Sequence, residues 1–453
     1  MSVQSSRAAT AKLNEIAPGL SGVTTHPNRT PSAAWFIVFL LFLFMAINFA
    51  DKAVIGIAAV PMMQDLRLTP RQFGLIGSSF FLLFAVSAIV TGFIVNRVQT
   101  RWALLALGFV WALTQFPMLA NVGFGSVVIC RIALGAGEGP AAPVALHSAY
   151  KWFPDELRAL PTALILEGSA IGIMVALPLL NWIIVRYSWH WAFGVLGIAG
   201  LLWTGTWLTL GQEGKIASAA APPNDATPLA GWVSYRLLLS SPTIIACWCA
   251  NFGAYWGLSQ ALSWQGAFLI KGLGLTQGSI GLLGALPAAA SVVLMITAGW
   301  CSQHLLAHGV PSRLARGILG GGCVALGGAA LAVMPYVASI PLKIGLTTIG
   351  VALPSVIYVI GNTVIGEITP ISQRGALLAI ATAVSTSAGL LAPFAMGSVV
   401  EKAATPLQGF DTGFMICGVI MLVGGAIGMA LIRPEREKAR WRGELRQAAV
   451  ETI

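Results

Sequence analysis

Repeated apolar segments, each long enough to cross a lipid bilayer, dominate the chain. A helix needs about 20 residues to cross the hydrocarbon core. Twelve segments of this kind are predicted near residues 33–60, 73–95, 102–121, 124–149, 160–185, 190–211, 242–269, 278–303, 314–335, 339–362, 375–400 and 410–432. The sequence therefore predicts an all-α membrane protein with twelve transmembrane helices.

The composition supports this class. The chain is 57% hydrophobic and 9% charged, with a mean hydropathy of +0.81, whereas soluble domains carry about 25% charged residues. The net charge of +10 does not indicate nucleic-acid binding, because the basic residues lie in short clusters between apolar segments. The first 30 residues are polar and lead into a full-length span without a small-residue cleavage site, so no removable signal peptide is predicted.

Lysine and arginine set the predicted orientation, because they accumulate in cytoplasmic loops. With the N-terminus inside, 18 of the 26 basic residues fall in cytoplasmic segments and six in outside segments. Both termini are therefore predicted to be cytoplasmic, which requires an even number of spans.

The chain is predicted to divide into two pseudo-symmetric bundles of six helices. The loop after span four contains Pro154-x3-Arg158, and the loop after span ten repeats this spacing as Pro370-x3-Arg374. Internal repeats of this kind are common in transporters. The predicted parts are a cytoplasmic tail at 1–32, a bundle at 33–211, a linker at 212–240, a bundle at 241–432 and a cytoplasmic tail at 433–453.

Five ionisable residues interrupt the apolar spans. Span one carries Asp51 and Lys52, span four carries Arg131 and Glu138, and span five carries Glu167. A charge near the bilayer centre costs roughly 2.5–3.5 kcal/mol on insertion scales, so such residues usually face a protected interior. The pattern indicates a polar chamber inside a helical bundle, as a transporter needs.

Structural roles for the same residues stay open at this point. Asp51 and Arg131 could form a static salt bridge between helices, and Lys52 could extend to the lipid headgroups. Glu167 is either an additional proton site or an acid that reaches the cytoplasmic interface.

Polar and aromatic residues in the second half are candidates for substrate contacts. Asn251 and Tyr255 share a helix face at i, i+4, as do Tyr358 and Asn362. The predicted set is Asn251, Tyr255, Gln260, Trp264, Tyr358, Asn362 and Ser385. These residue types also join membrane helices to one another. The sequence contains no phosphate-binding loop, and we predict no metal site and no cofactor.

Two motifs carry a resemblance to a known family. Span one contains Asn48-Phe-Ala-Asp51-Lys52, similar to Asn-Tyr/Phe-x-Asp-Arg, and span four contains Arg131-x3-Gly135-x2-Glu138, followed by Pro143. The chain resembles the major facilitator superfamily and, within it, the anion:cation symporters, which include sugar-acid permeases and sialin-type transporters. It departs from the superfamily at Asn96, where the loop between spans two and three usually carries an acid.

The resemblance implies roles for individual residues. Asp51 and Glu138 are expected to bind the coupled protons, and Arg131 is expected to tune Asp51. Lys52 is expected to attract the substrate carboxylate, and Asn48 is placed in the substrate site with it.

These expectations together describe a proton-coupled importer of a small organic carboxylate, either a sugar acid or an aromatic or other organic acid. The coupling ion is H+, and the expected location is a bacterial inner membrane, where the protein works as a monomer surrounded by lipid. A proton-coupled exporter of cationic or amphipathic compounds is the main alternative. A transporter-like sensor that binds ligand without moving it is a third possibility.

Overall fold

A computed structural model describes residues 32–95, 97–120, 122–154, 157–214 and 233–441. These residues form twelve long helices and no β-strand, so the predicted all-α membrane fold is confirmed. In chain order the helices are α1 Ser32–Ile57, α2 Pro70–Gly92, α3 Thr100–Leu119, α4 Phe124–Tyr150, α5 Leu160–Arg186, α6 Trp189–Leu210, α7 Pro242–Ala267, α8 Gln277–Ala307, α9 Arg313–Tyr336, α10 Ile340–Ile368, α11 Gln373–Lys402 and α12 Pro406–Leu431.

Eleven of these helices are long and apolar enough to cross a membrane by themselves. The exception among the described helices is α7, which has 26 residues but carries several amides and hydroxyls. Short helices Ala59–Asp65 and Tyr235–Leu239 follow α1 and precede α7. The predicted tails and linker fall largely outside the described residues, as does Asn96, so the predicted domain boundaries remain predictions.

The helices pack as two lobes with a repeated pattern. In the N-lobe (α1–α6), α1 packs on α5 and α3 packs on α6; in the C-lobe (α7–α12), α7 packs on α11 and α9 packs on α12. Each C-lobe pair is the N-lobe pair shifted by six helices. Across the lobe interface, α2 packs on α11 and α5 packs on α8, and these two pairs are related by the same shift.

The lobes meet at the membrane face where α1 ends and α2 begins, here called the closed face. Gln277 Nε2 donates to the Ile57 carbonyl at 2.9 Å and to Asn181 Oδ1 at 3.0 Å. The main-chain N–H of Arg71 donates to Glu401 Oε2 at 2.9 Å. A Cβ on Gly266 would lie 2.2 Å from the Gly56 carbonyl oxygen, so only glycine permits this approach of α1 and α7. These contacts hold the two lobes together at this face.

At the opposite face, Glu213 ties three N-lobe helices together. Its carboxylate accepts hydrogen bonds from the Thr100 and Arg101 main-chain N–H groups at 3.2 and 3.0 Å, and it pairs with Lys151. An acid at a helix N-terminus stabilises the unpaired N–H groups there. Burial raises the pKa of Glu213, but hydrogen bonds from Lys151, Arg101 and Thr100 outweigh it and leave the pKa below its usual value.

The glycine contact at the closed face gives a conformational prediction. Gly266→Ala is expected to shift the population towards conformations in which the two lobes are separated at the closed face, because the added Cβ collides with the α1 backbone. The measurement is the spin–spin distance between labels at the exposed positions Gln64 and Lys271, in a cysteine-free background. Gly299→Ala is the matched control, since nothing lies within 4 Å of a Cβ at that position. An unchanged distance distribution in Gly266→Ala contradicts the prediction.

Candidate functional site

Four ionisable side chains from α1 and α4 are buried together inside the N-lobe. Asp51 and Glu138 are 1% exposed, Arg131 is 4% exposed and Lys52 is 5% exposed. Two acids and two bases give the group a net charge of zero when all four are ionised. We call these four residues the ion cluster. Charges at this depth are costly unless they are paired, so their position relative to one another decides what the cluster does.

Irregular backbone in α2 and α4 positions the cluster. α4 is interrupted directly after Glu138, where the helical segment Phe124–Glu138 ends and Ala141–Tyr150 begins. A Cβ on Gly135 would lie 1.7 Å from the Phe80 carbonyl oxygen, so the glycine lets α4 approach α2 at the point where α2 leaves regular helical geometry. Glu138 therefore lies at a helix break close to a second helix.

Within the ion cluster, the closest ionic contact joins α1 to α4. Lys52 Nζ lies 3.1 Å from Glu138 Oε2, and the same ammonium donates to Asn48 Oδ1. Lys52 Nζ also lies 4.2 Å from the centroid of the Phe49 ring, a cation–π distance. The alternative in which Lys52 extends to the lipid headgroups is therefore not what the structure shows.

Arg131 contacts the backbone of Asp51 and not its carboxylate. Its Nη1 donates to the Asp51 main-chain oxygen at 3.3 Å, and its guanidinium lies 4.8 Å from the Phe80 ring centroid. Asp51 Oδ1 is buried without a hydrogen-bond partner among the described residues, and no described basic nitrogen lies within 4.0 Å of this carboxyl group. The static Asp51–Arg131 salt bridge considered from the sequence is absent from this part of the chain.

A cavity of about 360 Å³ lies between the two lobes. Five of the predicted substrate residues line it: Asn251, Tyr255, Tyr358, Asn362 and Ser385. The described residues that line the cavity include none of the ion cluster. Phe49 and Tyr255 line the cavity and also pack against the apolar core around the cluster, so these two rings stand between the charges and the cavity.

Other predicted residues lie outside the cavity lining. Trp264 is fully buried and donates its indole N–H to the Pro393 carbonyl at 2.9 Å, which makes it a packing residue between α7 and α11. Gln260 is 1% exposed with its Nε2 unpartnered. Glu167 is half-buried and its Oε1 has no partner among the described residues.

Sequence reasoning missed two polar features of the interior. The Gln115 side chain on α3 is buried beside the Asp51 carboxyl group. Lys343, near the beginning of the predicted span at 339–362, is 5% exposed and pairs with Asp411 at 3.0 Å. Both residues of this pair lie near the beginning of a predicted span, at 339–362 and 410–432, and both spans start on the same side of the membrane. This shared position could have indicated the pair from the sequence.

Comparisons with known proteins agree with this architecture. Residues 40–361 match the family profile of the Major Facilitator Superfamily. The hexuronate transporter of Bacillus subtilis is 24% identical over 87% of this chain and 94% of its own length. The D-galactonate transporter of Escherichia coli is 24% identical, covering 61% of this chain and 69% of the relative. The match to the chloroplastic ascorbate transporter of Arabidopsis thaliana, at 26% identity, spans 63% of this chain and 55% of that relative.

Solved structures share the fold at low identity. A bacterial homologue of the human lysosomal transporter Spinster, in an inward-facing and unoccupied conformation, has a TM-score of 0.74 at 18% identity, covering 89% of this chain and 98% of its own. The D-xylose-proton symporter has a TM-score of 0.71 at 17% identity, covering 89% and 99%. The resemblance predicted from the sequence is confirmed: the chain belongs to the Major Facilitator Superfamily and is a multi-pass membrane transporter, not an enzyme.

Proposed function

We propose that this transporter is a proton-coupled symporter that imports a small organic carboxylate by alternating access. The observation that carries the proposal is the buried contact between Lys52 and Glu138 at 3.1 Å, directly behind the cavity-lining ring of Phe49. It is a cation held by a carboxylate next to the space that a substrate would occupy. The names of the relatives support the substrate class, because hexuronate and D-galactonate are both carboxylates.

Charge balance connects the substrate to the proton. The ion cluster is neutral when its four members are ionised, so a monocarboxylate that reaches Lys52 brings one excess negative charge into a buried site. A buried carboxylate that loses its cationic partner is strongly destabilised. Binding one proton removes the excess charge, and Glu138 is the carboxyl that the substrate displaces from Lys52. The proposed stoichiometry is one proton for each monocarboxylate.

The rings of Phe49 and Tyr255 separate Lys52 from the cavity, so their movement would let a substrate reach the ammonium group. Phe49 covers the Lys52 ammonium, and Tyr255 packs edge-on against Phe81 of the other lobe at 5.8 Å between centroids. Movement of Phe49 would expose Lys52 to the cavity. Asp51, which lacks an ionic partner among the described residues, is the second proposed site for this same proton, and Arg131 fixes the backbone that carries it.

The predicted orientation assigns the two faces. With both termini in the cytoplasm, the closed face is the outer face, and the cavity above it is reached from the cytoplasm. The proposed conformation is therefore inward-facing, and the likeness to the inward-facing Spinster homologue supports it. We place the protein as a monomer in a bacterial cytoplasmic membrane, with the closed-face contacts as the outer gate.

One observation favours a second candidate, the export of cationic or amphipathic compounds. The described residues that line the cavity carry no charged side chain, so an amphipathic compound could occupy it without contacting the ion cluster. Proteoliposomes with an imposed pH gradient separate the two functions. The proposal predicts carboxylate accumulation on the side of higher pH, whereas expulsion of lipophilic cations without carboxylate uptake supports the exporter.

The ion pair itself gives a stability prediction. Lys52→Met is expected to lower stability by roughly 3–5 kcal/mol, because it leaves a buried carboxylate unpaired. The double variant Lys52→Met/Glu138→Gln is expected to recover much of this loss, as read from unfolding of the detergent-solubilised protein. Lys402→Met, at an exposed position, serves as the control. A double variant no more stable than Lys52→Met would show that the two residues are not energetically coupled.

Proton coupling gives a transport prediction. Glu138→Gln is expected to abolish accumulation driven by a pH gradient but to keep substrate exchange at equal concentrations, because the amide cannot gain or lose the coupled proton. The measurement is uptake of labelled carboxylate into proteoliposomes with and without the gradient. Asp65→Asn removes an acid outside the cluster and should accumulate substrate normally. Gradient-driven accumulation at the wild-type level in Glu138→Gln excludes Glu138 from coupling.

A further inference from the structure

The hydrogen bonding of the cavity wall indicates which chemical groups the substrate carries besides its carboxylate. We infer that the cavity selects a carboxylate with a flat, apolar body and one polar substituent, such as an aromatic monocarboxylate, over a polyhydroxylated sugar acid. This inference rests on the proposed function for the carboxylate and concerns the remainder of the molecule.

The serine and threonine hydroxyls of the wall are already used by the protein. Six serine and threonine residues occur among the described residues that line the cavity, and each donates its hydroxyl proton to a carbonyl three or four residues earlier in its own helix. They are Ser169, Ser291, Ser355, Thr382, Ser385 and Thr386, with donor–acceptor distances of 2.5 to 3.0 Å. The Asn251 amide uses one of its two N–H protons in the same way, since its Nδ2 donates to the Cys247 carbonyl at 2.8 Å.

Self-paired hydroxyls are poor partners for a sugar. Every hydroxyl of a sugar acid both donates and accepts hydrogen bonds in water, and a group that loses these bonds on burial carries a desolvation penalty. The wall hydroxyls still accept through their lone pairs, but their protons are directed into their own helices. A ligand with four or five hydroxyls would depend on the amide and phenol groups of the wall for donors, whereas an apolar ring needs none.

The remaining wall suits a ring. Phe49, Tyr255 and Tyr358 present aromatic surface from both lobes, and the two tyrosine rings lie 6.4 Å apart between centroids at an interplanar angle of 70°. Aromatic pairs favour edge-to-face geometry at such distances, so a substrate ring can join the existing arrangement. Ile173 and Leu177 of α5 add aliphatic surface to the wall.

Within the described part of the chain, one buried side chain of the wall has no hydrogen-bond partner for either polar atom of its amide. Gln265 is 5% exposed, and both its Oε1 and its Nε2 are buried without a partner among the described residues. The next residue, Gly266, touches the Gly56 carbonyl, and Gly56 is one helical turn beyond Lys52. Gln265 therefore lies about one turn, ~5 Å along the axis, from the level of Lys52. An aromatic ring spans this separation, with its carboxylate towards Lys52 and a polar substituent at Gln265.

Binding and transport are measured separately on the full chain. Calorimetric titration of the purified protein with benzoate, 4-hydroxybenzoate, glucuronate and galactonate tests the selectivity of the cavity. Uptake of the same compounds into proteoliposomes under a pH gradient tests the proposed function. The inference predicts that the two aromatic acids bind at least tenfold more tightly than the two sugar acids.

The binding and uptake measurements distinguish failure of this inference from failure of the proposed function. Sugar acids that bind as tightly as the aromatic acids and accumulate with protons overturn this inference but leave the proposed function intact. Aromatic acids that bind selectively without proton-driven accumulation overturn the proposed function but support the cavity assignment. Absence of binding by all four compounds overturns both.

Gln265→Leu tests the polar anchor. The variant is expected to bind 4-hydroxybenzoate about tenfold more weakly while binding benzoate as before, because one hydrogen bond of ~1.4 kcal/mol corresponds to a factor of ten. The benzoate measurement shows that the variant is folded. Gln303→Leu, at an exposed position on α8, is the matched control and should leave both affinities unchanged. Equal losses for both ligands, or no loss for either, would remove Gln265 from substituent recognition.

Discussion

The contact between Lys52 and Glu138 is the interaction on which the proposed transport cycle depends. A charged residue at this depth is costly without a partner of opposite charge, and the pair joins α1 to α4 within one lobe. A ligand that replaces Glu138 as the partner of Lys52 must be an anion. Glu138 then needs a cation to stabilise it. The smallest cation available to a buried carboxyl is a proton. Substrate and proton are thereby linked through a single exchange of partners, without a metal or a second cation in the scheme.

The two lobes have different tasks in this arrangement. The N-lobe contains all four members of the ion cluster, and the C-lobe supplies most of the polar and aromatic cavity wall through α7, α10 and α11. Phe49 and Tyr255, one from each lobe, line the cavity and also pack against the apolar core around the ion cluster. The contacts of Gln277 and Arg71 at the closed face hold the lobes together on one side of the cavity. Alternating access then requires these contacts to break while the internal pairing of each lobe persists.

Much of the fold followed from the sequence because hydropathy responds to the bilayer and not to tertiary detail. All twelve predicted spans correspond to helices, including α7, whose amides and hydroxyls make it less apolar than its neighbours. The charged residues of spans one and four were predicted to face a polar chamber; the structure buries them together, but none of them lines the described cavity. Their pairing was not predictable: Arg131 contacts a main-chain oxygen of Asp51, and Lys52 takes Glu138 as its partner. Such choices depend on the α4 break and on the approach of α2 at Gly135, which no spacing rule encodes.

In the proposed cycle, a monocarboxylate takes the place of Glu138 on Lys52 only when one proton binds. The most direct test is proton uptake by the purified wild-type protein during ligand binding, measured with a pH indicator in weakly buffered solution. We expect an uptake of one proton for each monocarboxylate bound, with affinity increasing as the pH falls. Binding that consumes no proton and has the same affinity across the pH range would contradict it.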